Sequence, residues 1–301
     1  MATPFDTLLE RIKTISGHPI VNKLMFLASV AYTFLLLFLS RSEIMSINWV
    51  DFWRIFTSSF LLYFISLLLQ SLNWSLTIDG SLTNFIKNSE AFFRSILLQR
   101  IPGGFWHWLG RINFYREYEP VQSKNTNEKV KLSIFYEWLL SILTGMSIFL
   151  WTKNYLAGII SSIFCFLILI TLFQRIEKKD GINLSLPILT ILIMLVRWGL
   201  GFLTLSLLIN NMMYLDAITP TFVLATWTLS SSIGMATFFF PSGGLVRDFT
   251  LTALLAPIMP LQKVFLLAAE LRIIFLASDL LSSGINLAIL EIWKKIIKAN
   301  Q

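Results

Sequence analysis

Seven stretches of this chain are apolar over about the length a helix needs to cross a lipid bilayer, roughly 20 residues for a roughly 30 Å hydrocarbon core. They run from about Leu24 to Ser40, Ile55 to Asn73, Leu132 to Trp151, Tyr155 to Phe173, Ile182 to Ile209, Ala217 to Phe240 and Val264 to Leu290. A single soluble core cannot hide them, because burial on folding is limited by surface-to-volume scaling. Only 14% of the 301 residues are charged and 55% are hydrophobic, against about 25% charged in a soluble domain. Mean hydropathy is +0.71. The expected fold is therefore all-α: one polytopic transmembrane bundle spanning residues 1–301, its apolar flanks covered by lipid.

The net charge of +7 is concentrated between the apolar runs, as expected for cytoplasmic loops facing anionic headgroups. That placement argues against nucleic acid as a partner. Eight basic residues, Lys87, Arg94, Arg100, Arg111, Arg116, Lys124, Lys129 and Lys131, occupy the segment 74–131. Arg175, Lys178 and Lys179 form a second basic group, and Lys294, Lys295 and Lys298 a third. All three lie on the cytoplasmic side, with both termini, if the short apolar piece Phe249 to Met259 completes a crossing. About eight membrane segments result. The N-terminus shows no small-residue cleavage site after an apolar core, so the first span is expected to act as its own insertion signal. Phe5, Leu8, Leu9, Ile12 and Ile15 recur at helical spacing opposite Glu10, Arg11 and Lys13, which predicts an interfacial amphipathic helix over residues 1–20. The expected location is the plasma or inner membrane.

Two places interrupt the apolar pattern in the same way: Arg100-Ile101-Pro102-Gly103-Gly104-Phe105-Trp106, continuing to Gly110-Arg111, and Phe240-Pro241-Ser242-Gly243-Gly244-Leu245-Val246-Arg247-Asp248. Proline removes a backbone donor and glycine permits non-helical dihedrals, so each stretch should end one helix and start another. Non-helical backbone at membrane depth survives only where protein or a watery cavity satisfies it. Breaks at corresponding places in two halves of a membrane protein point to a transport site. A helix restarting there presents free N–H groups and the positive end of its dipole, which favour an anion. Arg111 and Arg247 add guanidinium groups able to bind phosphate in a fork. The alternative, that both breaks are loop turns with their arginines in interfacial water, is equally open on spacing alone.

The first of these stretches resembles the PGGxW…GR motif in the transmembrane region of lysylphosphatidylglycerol synthase/flippases and their stand-alone relatives. The second resembles that family's PGGLGVRE motif, with Pro241, Gly243, Val246, Arg247 and Asp248 on its positions. Ser242 stands where the family has glycine, and the Gly-Leu order that follows differs. The resemblance implies a bundle with two re-entrant elements that handles phosphate-bearing lipids. With no aminoacyl-transferase domain after Gln301, it implies a stand-alone flippase-like protein rather than a lysyl-lipid synthase, with an isoprenoid-linked glycan as one substrate class.

Charged residues inside apolar spans cost about 2.5–3.5 kcal/mol at the bilayer centre and so usually face the bundle interior. Glu137, Arg197, Glu270, Arg272 and Asp279 qualify. Arg197 is the most central, and joins the expected binding set either directly or as a structural partner of Glu270 or Asp279. Glu137, one turn inside its span, is expected to snorkel. Glu270 and Arg272 are two positions apart and point to different helix faces. His107 reads either as a proton relay or, with Trp106 and Trp108, as part of an interfacial aromatic belt, to which Trp49, Trp53, Trp74, Trp151 and Trp293 also belong by position. His18 precedes Pro19 and reads as a loop residue. Two distant histidines and the single cysteine, Cys165, supply no metal site or disulfide. No nucleotide loop, dinucleotide fingerprint or Ser-His-Asp spacing is present, so no cofactor and no catalytic residue is expected.

The expected ligand-binding residues are thus Pro102, Gly103, Gly104, Arg111, Arg197, Pro241, Gly243, Gly244, Arg247 and Asp248. The function they suggest is a lipid flippase or transporter for an anionic, phosphate-linked lipid. Two alternatives stay open: an integral-membrane transferase acting on a lipid phosphate, and a non-catalytic membrane partner that docks a glycosyltransferase through residues 74–131.

Overall fold

The computed structural model describes residues 19–96, 106–118, 123–177, 185–211, 218–237 and 243–299. Among these residues all regular structure is helical. Eleven helices follow in order: α1 (Pro19–Leu39), α2 (Arg41–Met45), α3 (Trp49–Asp79), α4 (Phe85–Ile96), α5 (Trp106–Tyr118), α6 (Ser123–Lys153), α7 (Tyr155–Glu177), α8 (Ser185–Asn211), α9 (Pro220–Ala236), α10 (Gly243–Leu255) and α11 (Leu261–Ala299). The amphipathic helix expected over 1–20 lies almost wholly outside the described residues.

The helix boundaries have local causes. Asn48 caps α3, its side chain accepting from the Val50 N–H at 3.1 Å. Gly80 ends that helix in the left-handed region at φ 65°, its N–H bonded to the Leu76 carbonyl, a conformation that costs glycine nothing. Asn154 alone separates α6 from α7 and caps α7 by accepting from the Leu156 and Ala157 N–H groups. Thr219 caps α9 with Pro220 at the first position, where a missing N–H is harmless.

Among the described residues, three helices are long and apolar enough to cross a membrane: Trp49–Asp79, Glu128–Lys153 and Leu186–Asn211. Shorter apolar helical stretches lie at Val30–Leu39 and Tyr155–Thr171. Ile160, Phe164 and Leu167 on α7, and Leu192 and Val196 on α8, are exposed. Contiguous apolar surface of that kind is rare on a water-soluble monomer and fits a membrane protein.

Inside, α3 packs against α8, α4, α6 and α11, and so runs through the middle of the bundle. One apolar cluster joins Trp198 and Leu205 of α8, Trp227 of α9, Leu251 of α10 and Phe275 of α11. A second joins Trp74 of α3, Phe92 of α4, Tyr115 of α5 and Ile134 of α6. Tyr63, on α3, packs against both. Helices end before and resume after each glycine stretch. In both cases the flanking helices pack on each other, α4 against α5 and α9 against α10. The following long helix, α6 or α11, then packs on the second arm.

Two belt assignments are overturned. Trp74 is 0% exposed and Trp108 is also buried. The α3 helix runs on to Asp79 instead of stopping at Asn73, so Trp74 lies inside the second core, where its indole donates to Tyr115 Oη at 3.3 Å. Trp49, Trp53 and Trp151 are exposed, as belt positions require.

Candidate functional site

Arg111 lies six residues into α5, which resumes just after the first glycine break. It is 1% exposed, so it does not belong to the loop charge of the 74–131 segment. Its Nη1 donates to Glu137 Oε2 at 2.5 Å and its Nε to Ser95 Oγ at 3.2 Å. The guanidinium carbon sits 4.3 Å from the Trp74 ring centroid and 4.8 Å from that of Phe92. Two aromatic faces and two acceptors thus hold one planar cation, an arrangement that suits guanidinium and not ammonium.

Glu137, on α6, is buried at 6% exposure. It does not snorkel, because its partners lie inward. Its Oε1 accepts from Gln70 Nε2 of α3 at 2.9 Å, so the carboxylate ties α3, α5 and α6 together. A buried charge keeps its place only when its partners and its remaining lone pairs are satisfied. Around this pair runs a polar network: Tyr115 Oη donates to Asn88 Oδ1 at 2.6 Å, and Asn88 Nδ2 donates to Ser75 Oγ and Asp79 Oδ2.

Arg197 lies on α8. Its Nη1 contacts Met194 Sδ at 3.2 Å and its Nε is buried without a hydrogen-bond partner. No ion pair within 4 Å joins Arg197 to Glu270 or Asp279, the partners considered from sequence.

The second cluster forms where α10 meets α11. Arg247 donates through Nε and Nη2 to Asp248 Oδ1, at 3.0 and 2.8 Å. Arg272 Nε donates to Asp248 Oδ2, so both carboxylate oxygens are engaged. Asp248 is 0% exposed. The Arg247 guanidinium lies 4.8 Å from the Phe275 ring centroid, and that of Arg272 lies 4.8 Å from the Tyr32 ring of α1. Arg272 Nη1 also reaches Thr33 Oγ1 at 3.5 Å.

Of the residues expected from sequence, the structure brings Arg111 to Glu137 and Arg247 to Asp248. The Phe275 ring under Arg247 also packs on the Tyr63 ring of α3, with centroids 4.3 Å apart. Gly243 and Gly244 open α10, and a Cβ on Gly244 would meet nothing within 4 Å. Pro102, Gly103, Gly104 and Pro241 lie outside the described residues. Gln70, Ser95, Tyr32 and Thr33 were not singled out by the sequence reading. Nothing in their local pattern marks them, since a lone polar residue in an apolar run gives no clue to a partner dozens of positions away.

Chemically, the first cluster sets one guanidinium on a buried carboxylate and the second sets two around one, inside an apolar bundle. Such forks bind carboxylate and phosphate alike. No family model, curated protein or solved structure matches this chain.

Proposed function

We propose that the protein is a flippase-like membrane transporter that binds the phosphate of an anionic lipid, a phospholipid or an isoprenoid-linked glycan, at its paired arginine clusters. The observation that carries this reading is the buried pairing of Arg111 with Glu137, and the grouping of Arg247 and Arg272 around Asp248. Intramembrane cations that face the bundle interior mark substrate paths, and a pair of forks suits a headgroup passed between two stations. In this reading about eight segments cross or enter the bilayer. The two Pro-Gly-Gly stretches form re-entrant hairpins whose electropositive helix starts support the arginines. The acyl or isoprenoid tails remain in lipid while the headgroup moves along the interior. The Lys and Arg distribution favours both termini on the cytoplasmic side of a plasma or inner membrane in this reading.

The transferase alternative asks for a base or a metal-binding carboxylate beside the phosphate. Asp248 is the nearest such group to Arg247, and both of its oxygens already accept from arginines, which suits holding cations more than abstracting a proton.

The test is reconstitution of the full chain in liposomes carrying a fluorescent phospholipid or a polyprenyl-phosphate analogue. Facilitated crossing without covalent change, lost in Arg247→Gln, is the expected result. Covalent change of the lipid would establish the transferase instead. No crossing in vitro, with Arg247→Gln behaving as wild type in cells, would leave the docking-partner role.

A further inference from the structure

Glu270 lies on α11, about 13 Å along the axis from Leu261 at about 1.5 Å per residue. It is 5% exposed, and its Oε2 is buried with no hydrogen-bond partner. Helical spacing puts Leu266, Leu267 and Ile274 on its face. All three are buried in the first apolar cluster, against which Ile44 of α2 and Ile55 and Phe56 of α3 also pack.

Among the described residues, no ion pair joins Glu270 to a cation, because the charges on its own helix and on the helices packed against it are engaged elsewhere. On α11, Lys263 pairs with Glu43 of α2 at 3.9 Å, and Arg272 pairs with Asp248 of α10, which also takes Arg247. On α3 and α4, Arg54 pairs with Asp51 and Arg94 with Glu90, Asp79 accepts from Asn88, and Lys87 lies over the Tyr115 ring. Arg41 of α2 lies over the Phe38 ring, and Arg197 of α8 contacts Met194. Asp279, further along α11, falls on the face opposite Glu270 at 3.6 residues per turn. An ionised carboxylate in such surroundings has neither water nor counter-charge, a cost that the neutral acid does not carry. Intramembrane carboxyl groups of this kind serve as proton relays in pumps and transporters.

We infer that Glu270 is the proton-carrying carboxyl of the transporter, neutral in the arrangement described here and ionised in a second one in which α11 has shifted. When the proton leaves to water, the carboxylate cannot stay between Leu267 and Ile274, so α11 moves to bring it to an aqueous face. Arg272, half a turn away on the same helix, moves with it, and its bond to Asp248 is broken or remade, which changes the grip on the headgroup. The proton is taken up from one side of the membrane and given up on the other, so a proton gradient drives the headgroup across. This inference rests on the lipid-transport reading above and supplies its driving force.

The test is reconstitution of the full chain in liposomes with fluorescent phosphatidylserine, the membrane potential clamped with potassium. An imposed gradient of about two pH units should enrich the lipid in one leaflet of wild-type vesicles, by up to about a hundred-fold for one proton exchanged per headgroup. Glu270→Gln, which fixes a neutral side chain, should keep the unfolding midpoint and abolish the enrichment. The infrared carbonyl band of a protonated carboxyl should be present in wild type at neutral pH and lose intensity in the variant. An unchanged band, enrichment in Glu270→Gln equal to wild type, or wild-type crossing that the gradient does not bias overturns the proton role and leaves the transport reading standing. Absence of wild-type crossing with and without the gradient overturns both. Should Glu270→Gln fail to fold, Glu270→Leu, which suits the apolar surroundings, takes its place in each measurement.

Discussion

The rings of Tyr63 and Phe275 meet with centroids 4.3 Å apart, joining α3 to α11 beneath the Arg247 guanidinium, which lies over the Phe275 ring. Phe275→Leu keeps an apolar side chain there but removes the π faces. It should cost about 1.5–4 kcal/mol, the sum expected for two aromatic pairs, with Tyr63 and Trp227, and one cation–π contact, measured by chemical unfolding in detergent.

The Arg111–Glu137 pair is fully desolvated, and its two partners should be interdependent. Arg111→Met or Glu137→Leu alone leaves a buried charge uncompensated and should destabilise by about 3–5 kcal/mol. The double replacement should recover most of that loss, because two apolar residues make no such demand. A double-mutant cycle on unfolding free energy measures the difference; strictly additive losses would show that the pair is not the unit.

Asp248 offers a sharper case, since both oxygens accept from arginines. Asp248→Asn places an amide donor against a guanidinium and removes the charge that holds two cations. The expected cost is about 3 kcal/mol or more. Arg272→Lys should fail to restore native stability, because an ammonium cannot both bond Asp248 and lie flat on the Tyr32 ring as guanidinium does. Thermal unfolding of the purified variants checks both.

Two glycines on α8 give opposite expectations. A Cβ on Gly201 would fall 2.4 Å from Trp227 Nε1, whereas one on Gly199 would meet nothing within 4 Å. Gly201→Ala should cost about 1–3 kcal/mol by overpacking. Gly199→Ala should be neutral or stabilise by up to about 1 kcal/mol through helix propensity. Unfolding midpoints of the two variants, compared side by side, decide it.

Much of the helical order could be read directly. The turn at Lys153 and Asn154 falls where the apolar runs part, because an uninterrupted 3.6-residue period leaves few places to stop. The glycine stretches were legible as breaks for the same reason. The error at Trp74 came from treating an aromatic at the end of an apolar run as a belt residue; Ser75, Thr77 and Asp79 make the run look finished while the helix continues into a polar network. Glu137 was visible as a charge in a span, yet its role depends on Gln70 and Arg111, at sequence separations of 67 and 26 residues. Local pattern carries no information about which of several distant arginines will arrive. Arg272 was legible as an intramembrane charge, and its pairing with Asp248 was not, for the same reason.

The spacing of the two buried ion pairs bears on how the chain is made. Arg111 emerges from the ribosome 26 residues before Glu137, and Asp248 emerges 24 residues before Arg272. When Arg111 is synthesised its counter-charge Glu137 does not yet exist, so entry into hydrocarbon would be opposed by the whole cost of an isolated ion, whereas Asp248 directly follows its first partner, Arg247. Burial of Arg111 therefore has to wait for the delivery of α6 with Glu137, while α11 only completes, through Arg272, a carboxylate that Arg247 already engages.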